Sequence, residues 1–190
     1  MIRDADPAGG TYFQSMNHYR IQGIPESLAA AARATMQSPQ YGHPAYVEVA
    51  TGYGPCRLCL QTFTVGRDER LLFTYQPFTD SYALPAPGPV FIHREPCARY
   101  DDTQLPEELR PLPLVLEAYG TGGAVRAQRR VGSGSFEAAL EEVWAQPGIQ
   151  YVHLRNAEAG CFIARIDRCH PQDQDAESLT GLVLRHSHHR

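Results

Sequence analysis

At 190 residues, with 43% hydrophobic and 20% charged residues and a net charge of −4 at pH 7, the chain has the composition of an ordinary globular domain, which excludes disordered and fibrous classes. The acidic balance excludes the concentrated positive surface that holds a polyanion, and no apolar run approaches the ~18 residues that cross a bilayer, so neither nucleic acid nor membrane is expected as a partner. All 17 basic residues are arginine, which rules out Schiff-base chemistry and the phosphate-loop lysine.

Residues 1–22 read as a flexible amino-terminal extension. Their stretch 4–10 is Gly-rich and polar, Met16 offers a second start, and the basic, apolar and small-residue order of a secretory signal is missing. Residues 23–170 then form the expected single domain. Residues 171–190 read as a flexible tail whose His186, His188 and His189 collect metals adventitiously. Without a signal, the five cysteines, an odd number, are expected to be free, metal-bound or reactive in a reducing cytoplasm rather than paired.

Pro25 sets up a helix over 26–36, alanine-rich but weakly striped. Segments 46–49, 70–76 and 89–93 are rich in β-branched and aromatic residues and bounded by Gly or Pro, as strands are, and 58–63 reads the same way. The stretch 76–89 carries four prolines and Tyr82 and has the length of a lid over a binding site. Asp101-Asp102 and Glu107-Glu108 read as solvated surface. Segments 112–119 and 124–131 flank Gly120-Thr121-Gly122-Gly123, whose glycines accept the positive φ of a hairpin turn. Ser135 can cap a second helix with an apolar stripe of Phe136, Leu140, Val143 and Trp144, ended by Pro147-Gly148. Segments 150–155 and 161–167 form a last hairpin. Strands outnumber helices and the connections are short, so the expected fold is α+β, a mostly antiparallel sheet with two short helices around one core.

Closed symmetrically, the last hairpin sets Arg155 opposite Cys161, His153 opposite Ile163 and Tyr151 opposite Arg165 on one side, with Val152, Leu154, Phe162, Ala164 and Ile166 on the other. The first side suits an anionic ligand held by forked guanidinium hydrogen bonds; equally, it fits the solvated face of a half-exposed sheet.

Chemistry concentrates in Cys56-Arg57-Leu58-Cys59 and His93-Arg94-Glu95-Pro96-Cys97. Cys56, Cys59, His93 and Cys97 match the number and softness of ligands that tetrahedral zinc takes. Three other readings stand beside it. Cys56 can act as a nucleophile favoured by Arg57, with His93 as its base. Cys56 and Cys59 can form a thiol–disulfide switch. Or the cysteines are small buried hydrophobes.

Gly54-Pro55-Cys56-Arg57-Leu58-Cys59-Leu60, then Gly88-Pro89-Val90-Phe91-Ile92-His93 with Cys97 and Tyr100, then Tyr151-Val152-His153-Leu154-Arg155-Asn156-Ala157 and Gly160-Cys161-Phe162 with Arg165, resemble the bacterial family catalogued as domain of unknown function 1203. The resemblance runs from about Tyr19 to about Arg168 and implies a single bacterial domain with these motifs as its hallmark, but no activity. The expected function is therefore a small-molecule domain for an anionic ligand, or an enzyme of unassigned reaction, with Arg57, Tyr151, His153, Arg155 and Arg165 as ligand-binding candidates. The alternative is a non-catalytic module with a structural zinc or buried cysteines.

Overall fold

Period-two burial dominates the chain and resolves into nine strands and two α-helices among the described residues of a computed structural model, which are 19–52, 54–78, 87–132 and 135–169. In chain order they are β1 (Tyr19–Gln22), α1 (Glu26–Thr35), β2 (Tyr46–Val49), β3 (Glu69–Tyr75), β4 (Gly88–His93), β5 (Asp101–Asp102), β6 (Leu114–Tyr119), β7 (Val125–Val131), α2 (Phe136–Trp144), β8 (Tyr151–Asn156) and β9 (Phe162–Arg168). A six-stranded sheet has the order β5-β1-β9-β8-β6-β7 and a three-stranded sheet the order β2-β3-β4, every pairing antiparallel. The expected α+β class, with two short helices, is what the chain adopts.

The elements follow local chemistry. Ser135 Oγ accepts the Ala138 amide at 3.0 Å and starts α2, whose Phe136, Leu140 and Val143 are buried, while Arg168 stacks on the less covered Trp144. Gly122 and Gly123 take φ of 69° and 72° at the β6–β7 turn. Helix α1 buries only Ala29 and Ala32, as its weak stripe implies.

Three expectations need correction. Residues 19–22 do not belong to the extension, because Tyr19 and Ile21 point inward and β1 pairs with both β5 and β9. Four residues are too few for their alternation to stand out beside a Gly-rich neighbour. Apolar burial also divides in place of one core. One cluster joins α2 to the large sheet, through Leu114, Leu116, Leu140, Val152, Leu154 and Ile166. The other gathers α1 and the small sheet, with Ala29, Leu71, Phe73 and Ile92, around Cys56 and Leu58. Segment 58–63, finally, is a turn rather than a strand, for reasons given below. The proposed lid falls largely on residues 79–86, and residues 1–18 and the tail from His170 onward likewise lie outside the described residues.

The link between β1 and α1 presses on that turn. Ile24 N donates to Arg57 O at 2.8 Å, and a Cβ on Gly23 would stand 2.1 Å from Leu58 O. Backbone meets backbone there, so neither side can give. Gly23→Ala is expected to cost about 3 kcal/mol, the upper end of ordinary overpacking. Thermal unfolding should show this as a Tm drop of roughly 6–12 °C.

Candidate functional site

The turn that carries Cys56 and Cys59 is tied at both ends. Cys56 N donates to Gln61 O at 2.8 Å and Leu60 N to Cys56 O at 2.9 Å, while Pro55 and Thr62 form an isolated bridge outside them. Closing so tight a loop drives Leu60 to φ 59°, a left-handed conformation that a side chain adopts only when its surroundings impose it. Leu60 is fully buried in the large-sheet cluster, and that burial offsets the strain. An alternating apolar pattern was therefore not a strand but a knuckle whose two leucines face different neighbours.

Glu108 pins the far end of the knuckle, its Oε2 accepting the Thr62 amide at 2.6 Å and the Thr62 hydroxyl at 2.8 Å. These hydrogen bonds hold the Glu108 carboxyl below its usual pKa of 4.5. A depressed folded-state pKa contributes stability that is present above 4.5 and is lost as pH falls through the lower folded value. Urea midpoints of the wild type and Glu108→Gln should accordingly differ at pH 7 and converge in acid. Equal midpoints at pH 7 would remove Glu108 from this role.

Strand β4 delivers His93 to the knuckle and the following loop delivers Cys97. The ligand atoms of Cys56, Cys59, His93 and Cys97 all lie within 4.8 Å of one another. Cys56 Sγ is 3.8 Å from Cys97 Sγ, and Cys59 Sγ is 3.4 Å from His93 Nδ1. Zn–S bonds of ~2.3 Å and a Zn–N bond of ~2.0–2.1 Å at tetrahedral angles would place sulfurs ~3.8 Å apart and sulfur ~3.5 Å from nitrogen. The side chains already stand at the edge lengths of such a tetrahedron.

The surroundings suit the same purpose. His93 Nε2 faces Asp68 Oδ2 at 3.8 Å, so a carboxylate stands behind the histidine as it does behind many metal-bound imidazoles. The His93 amide approaches Cys56 Sγ at 3.3 Å. Arg33, from α1, donates from Nη2 to Cys97 Sγ at 3.4 Å and from Nε to His93 O at 3.1 Å. Three thiolates around a dication keep one net negative charge, and Arg33 offsets it. Without a metal, the thiols of Cys59 and Cys97, the His93 ring and the Cys59 amide stabilise a Cys56 thiolate and pull its pKa far down, against burial. Hydrogen bonds to Cys56 and Cys97 in turn hold His93 protonated up to about 10.

The arginine side of the last hairpin differs from its expected form. The ladder pairs Arg155 with Phe162, His153 with Arg165 and Tyr151 with Asp167, with an irregularity between Leu154 and Arg155. Ile163 becomes the extra residue and joins the large-sheet cluster, while Phe162 turns to the His153 side, their rings 5.1 Å apart. A symmetric loop could not anticipate this bulge, which lets two consecutive residues, Ile163 and Ala164, serve one core. Nor is this side a solvated face, since His153 is fully buried and Arg155 is 6% exposed.

The five ligand-binding candidates do not form one open cluster. Arg57 is a buried strut whose Nε and Nη1 donate to the carbonyls of Phe162 and Pro55, so it fastens the knuckle to β9. Burial pushes its pKa down to about 10, with Cys161 and then Cys56 acting the other way. Arg165 pairs with Asp167 at 2.8 Å and stacks on Tyr151. His153 is held neutral, its pKa pushed to about 2 by burial and then by Arg155 and Arg165, amid the rings of Phe78, Tyr119, Tyr151 and Phe162. Arg155 pairs through Nε with Glu117 Oε2 at 2.5 Å and donates from Nη1 to Gly160 O at 2.9 Å.

A family model described as Protein of unknown function (DUF1203) matches residues 53–168. The chain belongs to this family. The matched region holds all four cluster residues and the whole β8–β9 hairpin, whereas Gly23 and Arg33 lie before it. No curated protein and no solved structure matches the chain. Arg33, Asp68, Glu108 and Glu117 carry no sequence signal of their role, because each reaches its partner from a distant element.

Proposed function

We propose that Cys56, Cys59, His93 and Cys97 hold one zinc ion and that its role is structural. The observation that carries this is the tetrahedral spacing of four protein ligand atoms. Catalytic zinc keeps one position for water or substrate, whereas a site completed by four protein side chains is of the closed kind. The full burial of Cys56 argues in the same direction against a nucleophile, which needs access to its substrate. The ion ties the knuckle to β4 and its following loop. Arg57 carries that anchoring on to β9.

Thiolate ligands need a reducing compartment, and the described cysteines are all free, so the cytoplasm is the compartment we assign. No helix among the described residues is long and apolar enough to cross a membrane. A small anionic ligand, the second part of this reading, belongs to Arg155 and not to the cysteines.

Metal analysis tests the zinc assignment on full-length protein with His186, His188 and His189 changed to serine, which removes the adventitious ligands. About one equivalent of zinc with a sulfur-rich tetrahedral shell by X-ray absorption is the expected result. Metal-free protein with all five thiols titratable in denaturant would refute it.

A further inference from the structure

Arg155 is a wall shared by two cavities beside the β8–β9 hairpin. The larger, about 220 Å³, is lined also by Glu117, Gln128, Arg130 and Glu158, so an anion there would meet two carboxylates. In the smaller, about 140 Å³, the wall is made by Pro77, Pro89, Val90, Cys161 and Phe162 besides Arg155, with no acidic side chain among its lining residues. Nε and Nη1 of Arg155 have acceptors in Glu117 and Gly160, but Nη2 is buried and makes no hydrogen bond. A buried charged donor without an acceptor is unfavourable and is ordinarily explained by an unseen partner.

We propose that the smaller cavity binds a small monocarboxylate with an apolar body, its carboxylate on Arg155 Nη2 and its body against Val90, Pro89 and Phe162. Size, charge and polarity each narrow the ligand. A cavity of about 150 Å³ accepts a benzene-sized molecule, so a body of roughly three to six carbons fits. One free guanidinium nitrogen amid apolar walls satisfies one carboxylate, and would leave the further charge of a phosphate dianion buried without a partner. Arg57, whose guanidinium feels the charge of Cys161 and donates to Phe162 O, adds positive field at the same wall. Nothing in this inference requires the metal.

Sodium butyrate is the probe, compared with butyramide, sodium chloride at equal ionic strength and inorganic phosphate. Butyrate should raise Tm saturably and slow alkylation of Cys161 at least fivefold, read by peptide mass spectrometry, while the other three do neither. Cys161→Trp fills the cavity without touching the arginine and should weaken butyrate binding at least tenfold. A Glu117→Leu/Arg155→Met double variant, which removes the charge pair together, should do the same. Should that double variant fail to fold, protection of Cys161 and the Cys161→Trp result decide. An equal effect of butyramide or chloride, an equal saturable effect of phosphate, unprotected Cys161, or undiminished binding to Cys161→Trp would each overturn the proposal.

Discussion

Cys59→Ser is expected to abolish metal retention and to unfold the small-sheet half of the molecule. Structural zinc contributes an apparent ~10–16 kcal/mol in zinc-finger peptides, as much as the ~5–15 kcal/mol by which a whole domain is stable. Here the four ligands come from the knuckle, the end of β4 and the loop after it, segments joined otherwise by few main-chain bonds, such as Arg57 N to Phe91 O and Tyr100 N to Leu58 O. Serine is nearly the size of cysteine, so the loss would come from the missing thiolate and not from a cavity. Hydrogen exchange should localise the effect, with amides of 54–63 and 88–100 losing protection first and those of β6 and β8 last. A chelator given to the wild type should reproduce the pattern. Unchanged Tm and unchanged exchange in Cys59→Ser would sink both the metal and its structural role.

Glu117→Leu should cost about 3–5 kcal/mol, because it leaves Arg155 buried without its countercharge. Glu117 also accepts the Tyr119 hydroxyl at 2.7 Å and the Gln128 amide at 2.8 Å, so the loss reaches three neighbours. In a chain of this length that cost corresponds to a Tm drop of roughly 6–20 °C. Removing Arg155 as well, in Glu117→Leu/Arg155→Met, should restore much of it, since apolar replacement of an entire buried pair is often neutral. A single variant as stable as the wild type would mean that Arg155 finds another partner, or water, and that the pair is not a buried one in solution.

Local order was written in local chemistry. Ser135 three residues before the amide it caps, the glycines of the β6–β7 turn and the alternating apolar residues of β3, β4, β6 and β8 each act within one or two elements, and a reading of the sequence finds them. The metal ligands were legible for a similar reason, as thiols and an imidazole gathered in two short motifs are rare enough to be noticed without their geometry. Tertiary structure decided what depends on long-range partners. Leu60 takes a left-handed φ because its side chain is buried on one side of a turn whose cysteines face another, and no propensity encodes that. Tyr19–Gln22 is a strand because β5 and β9 flank it. Arg57, Arg155 and Arg165 look alike in sequence, yet one is a strut on two carbonyls, one is a buried pair beside a cavity and one is a surface pair stacked on tyrosine. A guanidinium takes its role from its acceptors and its burial, and both are properties of the folded chain.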